Sequence, residues 1–202
     1  AKILMYRLGF WPTLLPKNSN KKRIWIQAVS VGELSSINTL LQAFIADPKI
    51  EIVLSGTTST GQKIAEQKHA KDILALGPFP LDWFPFSSLA WSRIQPDLAI
   101  CVDSELWPEH MYQAKKRGVP FFIVNARLSD RSFSRLGSLG IFRNLLLPNN
   151  LRILASSEKQ RQRWLTIGLD EQRTCNTGNL KVDIAPHNPI IEAIKNKKKE
   201  EL

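Results

Sequence analysis

The sequence predicts an α/β fold in which one Rossmann-like parallel sheet carries helices on both faces. Three observations support this. Short apolar runs of strand length alternate with amphipathic stretches along most of the chain. At 202 residues the chain is long enough to bury one real core. A hydrophobic content of 43% with 23% charged residues is that of a folded, soluble protein.

The elements follow in order. Candidate strands are IWIQAV (24–29), IEIVLS (50–55), DLAICV (97–102), PFFIVN (120–125) and RILAS (152–156), with a shorter one near RTCNTG. Helical patterns fall at 33–46, 59–69, 107–117 and 157–167. The segment LGPFPLDWFPFSS (76–88) breaks the rhythm with three prolines and several aromatics, and is expected to be a long structured loop. The chain therefore divides into a basic, aromatic arm (1–20), one Rossmann-like domain (21–186) and a charged tail or linker start (187–202). No internal repeat is present. In such sheets ligands bind beyond the carboxyl ends of the strands, so function is sought in the loops that follow them.

Charge is unevenly placed. The net charge is +10, and residues 1–23 contribute +6 through Lys2, Arg7, Lys17, Lys21, Lys22 and Arg23, with no acid among them. AKILMYRLGFWPTLLP intermixes these cations with Leu, Ile, Tyr, Phe and Trp, the composition of a segment that meets anionic lipid headgroups. A helix docked on the domain with solvated lysines explains the same residues. No stretch reaches the roughly 18 to 20 apolar residues of a membrane span. Nucleic acid is not an expected partner, because the aromatics are mixed with aliphatics and do not form a stacking platform. Cys101 and Cys175 lack metal-ligand or disulfide spacing, and Cys101, inside DLAICV, is expected to be a buried thiol. His69, His110 and His187 are scattered, so no metal site is expected, and the chain reads as cytoplasmic.

Two nucleotide motifs can be tested directly. SGTTSTGQK has Gly56 and Gly61 at phosphate-loop spacing, but Gln62 stands where that loop needs lysine. The G-x-G-x-x-G fingerprint is missing after the first strand, where only Gly32 occurs, so a dinucleotide cofactor is unsupported. Residues Thr57, Thr58, Ser59 and Thr60 are expected to cap the next helix.

Acids at strand ends carry more information. Glu33 follows the first strand and Glu105 follows DLAICV, so both project from one rim of a parallel sheet. Either is explained as an acid in a helix's first turn. On the ligand rim, the same carboxylate can act as a general base. In VNARLSDRS, Arg127 suits bidentate anion contact or an ion pair with Asp130 or Glu105. In NTGNLKVD, Asn179 and Lys181 follow the last short strand, and the lysine can neutralise charge on a reacting anion.

AVSVGE, TTSTGQK, DSELWPE, VNARLSDRS, ASSE and TGNLKVD, in this order from about residue 5 to 186, resemble the amino-terminal half of the bacterial Kdo transferases. These enzymes attach 3-deoxy-D-manno-octulosonic acid (Kdo) to the lipid A precursor. The resemblance implies the acceptor half of a GT-B glycosyltransferase, with CMP-Kdo held mainly by a carboxy-terminal donor domain that follows. It places the general base on Glu33 and transition-state stabilisation on Glu105 and Lys181. The acid orients the lysine or a substrate hydroxyl more readily than it stabilises an anion directly. Ser30, Gly32, Arg127 and Asn179 fall on substrate-binding positions. No metal or cofactor is implied, the partners are the lipid A precursor and an anionic membrane surface, and the location is the cytoplasmic face of the bacterial inner membrane. One half alone is expected to fold but not to transfer Kdo. A non-catalytic membrane-surface module and a different sugar-nucleotide enzyme fit the same strand-end residues.

Overall fold

The computed structural model describes residues 2–12, 17, 20–28, 30–103, 106–138, 140 and 147–180. Seven parallel strands form one sheet: β1 Lys22–Gln27, β2 Ile50–Gly56, β3 Ala75–Pro78, β4 Leu98–Val102, β5 Phe121–Ala126, β6 Leu151–Ala155 and β7 Thr174–Asn176, in the spatial order β3-β2-β1-β4-β5-β6-β7. Before and between them run α1 Lys2–Arg7, α2 Val31–Ser36, α3 Asn38–Ala46, α4 Ser59–His69, α5 Phe86–Ile94, α6 Pro108–Lys116, α7 Asp130–Ser138 and α8 Glu158–Thr166, with a 3-10 turn at Glu171–Arg173.

The register explains how the core is divided. Trp25 lies beside Val53 and Ala99, while its neighbour Ile24 lies beside Ile52 and Leu98. Successive side chains point to opposite faces, so the strands feed two cores. One face is aromatic: Trp25, Phe79, Trp91 and Phe121 meet α5, α6 and α8 there, and Trp11 joins them. The other face is aliphatic, with Ile24, Ile26, Ile52 and Leu54 covered by Leu41 of α3 and Ala65 of α4. Both faces are covered, as a parallel sheet requires.

Every strand expected from the sequence is present, and helix 59–69 has the expected limits. The helix expected at 33–46 instead starts at Val31 and is interrupted at Ile37. There Ser36 Oγ donates to the Glu33 carbonyl at 2.7 Å, a local bond that competes with the regular ladder. Segment 76–88 is only partly loop. It contains the end of edge strand β3 and the start of α5. Prolines hid both, since an edge strand tolerates a missing N–H and a helix can start just after proline.

The charge of the first 23 residues is also less exposed than composition implied. Arg23 is buried, bonded through Nε and Nη2 to Glu51 Oε2 at 3.2 and 3.0 Å and through Nη1 to the Ile94 carbonyl at 2.8 Å. Lys17 and Lys22 both approach Asp97. Cys101 is buried as expected, and both cysteines are free thiols.

Candidate functional site

Because the strands are parallel, all their carboxyl ends lie on one rim. The order of strands reverses between β1 and β4: β2 and β3 lie to one side of β1, and β5 to β7 continue beyond β4. A crevice opens at such a reversal, and ligands bind there in open α/β sheets. The residues just after β1 and β4 flank it.

After β1 comes the turn into α2. Ser30 is extended (φ −129°, ψ 165°) and caps α2, accepting from the Glu33 backbone N–H at 3.3 Å. The same hydroxyl donates to the Glu33 carboxylate at 3.4 Å. Glu33 is half-buried, in the first turn of α2. Gly32 is exposed, and a Cβ there would meet only Ser30 Oγ at 3.8 Å. Packing therefore does not require glycine, and its lack of a side chain leaves the Ser30–Glu33 edge open to the rim.

The next loop is pressed against this turn. Thr58 caps α4 by accepting from Gly61 N–H at 3.2 Å, as expected for that threonine. A Cβ on Gly61 would come within 2.8 Å of Thr58 Oγ1 and 3.7 Å of the Ser30 carbonyl carbon. The glycine thus leaves room for the Thr58 cap and for the turn that follows β1. Gln62 is turned back to donate to the Gly56 carbonyl at 2.7 Å.

Across the reversal, β4 and β5 end in paired left-handed residues, Asp103 (φ 63°) and Asn125 (φ 53°). Asn125 Nδ2 donates to Asp103 Oδ1 at 2.5 Å. Asp and Asn tolerate this conformation best among residues with side chains. The pair ties the end of β5 to the residue that follows β4. Asp103 was missed as a site residue, although its place directly after a strand was a usable signal. Also unforeseen was the buried set below the rim, in which Trp25 Nε1 donates to Ser55 Oγ at 2.9 Å and Ser55 Oγ to Gln27 Oε1 at 2.8 Å.

Arg127 and Asn179, expected as substrate contacts, meet each other: Arg127 Nη2 donates to Asn179 Oδ1 at 2.8 Å. Asp130, one expected ion-pair partner of Arg127, is instead engaged by Arg163. The structure thus brings Ser30, Gly32 and Glu33 together, and separately Arg127 with Asn179. Glu105 and Lys181, like the tail 187–202, lie outside the described residues.

A recess of about 510 Å³ lies away from Glu33. It runs beside edge strand β3 between α1 and α4, with Ile3, Tyr6, Lys63 and Leu76 in its walls. Among the described residues no group of three or more His, Cys, Asp or Glu is placed to hold a metal, and no helix is long and apolar enough to cross a membrane.

A second acid on the rim behaves differently. Asp82, after β3, accepts from the His110 backbone N–H at 2.9 Å and so caps α6 from outside the helix. Burial pushes its carboxyl up to about 6, backbone hydrogen bonds from His110 and Glu109 oppose the rise, and the Glu109 charge adds to it. His110 is buried, accepting at Nδ1 from Trp91 Nε1 at 3.0 Å, with Nε2 3.3 Å from the Pro80 carbonyl. Burial holds its ring neutral, with its pKa lowered to about 3.

Residues 3–184 match the family model described as 3-deoxy-D-manno-octulosonic-acid transferase (kdotransferase). The chain is 31% identical over 169 residues to the 3-deoxy-D-manno-octulosonic acid transferase of Rickettsia bellii, and 31% over 173 residues to that of Haemophilus influenzae. These alignments take in 82% and 85% of the chain but only 39% and 40% of the relatives. A bifunctional glycosyltransferase/methyltransferase of Fusobacterium nucleatum is 28% identical over 82% of the chain and 26% of its own length. Among solved structures, the fold is similar to UDP-N-acetylglucosamine 2-epimerases of Listeria monocytogenes (putative; TM-score 0.59, 13% identity, 87% of this chain and 52% of that one) and Neisseria meningitidis (0.57, 13%, 88% and 52%). It is also similar to a lipopolysaccharide outer core galactosyltransferase (TM-score 0.52, 15% identity, 78% and 45%). Each likeness covers about half of its neighbour and is one of fold alone, that of a single Rossmann-like half of a GT-B architecture. The chain belongs to the 3-deoxy-D-manno-octulosonic-acid (Kdo) transferase family, and what it matches is that family's amino-terminal domain.

Proposed function

We propose that this chain is the acceptor half of an inverting, metal-independent Kdo transferase, which moves Kdo from CMP-Kdo to the lipid A precursor at the cytoplasmic face of the bacterial inner membrane. One observation carries the reading. Glu33 stands at the strand-order reversal, hydrogen-bonded by Ser30 and left open by Gly32.

In this reading the Glu33 carboxylate takes the proton of an acceptor hydroxyl while that oxygen attacks the anomeric carbon of Kdo. The bond from that carbon to the CMP phosphate breaks on the opposite face, and CMP leaves with the electron pair. Ser30 orients the base through its hydroxyl. Arg127, held by Asn179, offers its remaining donors to an anionic group of the lipid. Lys181 neutralises developing negative charge, and Glu105 orients that lysine or a substrate hydroxyl. No cofactor takes part. The donor belongs mainly to the length of the relatives that this chain does not cover.

Ligand-observed binding tests the assignment. The chain is expected to bind the lipid A precursor and to bind CMP-Kdo or UDP-sugars at least about tenfold more weakly, the factor of a 1.4 kcal/mol preference. Tight binding of a nucleotide sugar with no binding of the lipid would assign this half to the donor and overturn the reading.

A further inference from the structure

Asp103 and Asn125 have no part in the chemistry set out above, yet the fold holds them unfavourably. Both stand at the end of a strand in left-handed backbone, with φ 63° and 53°, a region that residues with side chains enter at a cost. The pairing of β5 with β6 shifts register between Val124 and Ala126, so Asn125 is passed over. Asn125 is fully buried, and among the described residues its Oδ1 has no hydrogen-bond partner. That is a further loss for a buried polar atom. Such departures from local preference persist where the surrounding structure enforces them, and they gather at ligand sites.

Their product is one oriented carboxylate. Asn125 Nδ2 donates to Asp103 Oδ1 at 2.5 Å, which fixes the aspartate side chain and occupies one of its oxygens. Asp103 is half-buried, and among the described residues its carboxylate has no ion pair and no second hydrogen bond. The Asp103 backbone N–H is already taken by the Val124 carbonyl at 3.0 Å. The residue therefore offers acceptors only, which suit a donor group and repel an anion.

Its place relative to Glu33 follows from the register. Cys101 of β4 pairs with Gln27 of β1, and Asp103 lies two residues past the first while Ser30 lies three past the second. Neighbouring strands are roughly 5 Å apart, so Asp103 and the Ser30–Glu33 turn flank the crevice at the strand-order reversal. We infer that Asp103 is a specificity-determining residue for the acceptor: it accepts a hydrogen bond from a sugar hydroxyl other than the one Glu33 deprotonates, and Asn125 positions it. This assignment rests on the proposed acceptor role of the chain. A hydroxyl bonded to a carboxylate is a charge-assisted contact. The same charge turns an anionic group of the lipid away from the base and toward Arg127, just past the end of β5.

Acceptor affinity tests the inference, using the whole chain with no donor, the lipid A precursor, and analogues that each lack one non-reacting sugar hydroxyl. Wild type is expected to bind one analogue about tenfold more weakly than the precursor, the factor of a lost charge-assisted hydrogen bond. Asp103→Ala is expected to bind the precursor about tenfold more weakly and to bind that analogue equally well, within about twofold. Asp103→Asn still accepts from Asn125 and so keeps the pair intact, yet is expected to cut the penalty below about threefold. Asn125→Ala, which leaves the carboxylate unoriented, also shrinks the penalty. A purely structural role would weaken binding of the precursor and every analogue by one factor and leave the penalty whole. Wild-type indifference to every hydroxyl, or a full tenfold penalty retained in Asp103→Ala, would overturn the inference and leave the acceptor assignment standing. A wild-type chain that fails to bind the precursor would overturn that assignment and the inference with it.

Discussion

Glu33 and Asp82 are both acids on the carboxyl rim, and both sit at the start of a helix, yet their surroundings differ. Glu33 opens its own helix at the point where the strand order reverses, half-buried, with Ser30 on its carboxylate and a bare glycine beside it. Asp82 caps another element, α6, from inside an aromatic loop, and burial raises its carboxyl to about 6. An acid at a helix start is therefore uninformative alone. What sets the proposed base apart from the structural acid is its place at the strand-order reversal, beside a glycine.

The widest separation comes from replacing each acid with its amide in the catalytically complete protein. Glu33→Gln is expected to lower turnover by about 10²- to 10⁴-fold, the range of a lost general base. Asp82→Asn leaves turnover unchanged, because its remaining oxygen still accepts from His110 N–H. Next in size is His110→Ala, which empties a fully buried position and strands the Trp91 N–H. Loss of about 3 kcal/mol of stability is expected by chemical denaturation. Asp82→Ala removes the cap of α6 and is expected to cost ~1 kcal/mol in the same measurement.

A further effect is one of pH. His110 is lowered to about 3, so the unfolded chain binds a proton that the native state refuses, and stability falls as pH drops from about 6.5 toward 3. Asp82 has the opposite sign. Raised to about 6, its carboxyl takes up a proton in the native state first, adding stability as pH falls from about 6 to 4. Asp82→Asn removes this compensation, so acid-induced loss of stability measured by urea unfolding between pH 6 and 4 becomes steeper than in wild type. An identical slope in both proteins would contradict the buried setting of Asp82.

Much of the fold was legible because strand periodicity and helix length leave strong marks. IWIQAV, IEIVLS and DLAICV all became strands, paired in a register that sends alternate residues to two cores. What was hidden lay under proline: β3 ends in Pro78 and α5 starts after Pro85, where local rules favour loop. Arg23 appeared as surface charge in the sequence but is neutralised by Glu51, 28 residues away. The position of Glu33, in the first turn of α2 after β1, was legible because a motif and a strand end coincide there. The Arg127–Asn179 contact spans 52 residues and the Asp103–Asn125 contact 22. Such contacts arise from strand order, which the linear pattern does not contain.

The most direct test of the central claim measures turnover and lipid acceptor affinity together for Glu33→Gln. A base role predicts turnover reduced by at least about 10²-fold with affinity within about twofold of wild type. Unchanged turnover would make Glu33 an ordinary helix-start acid, no different in kind from Asp82.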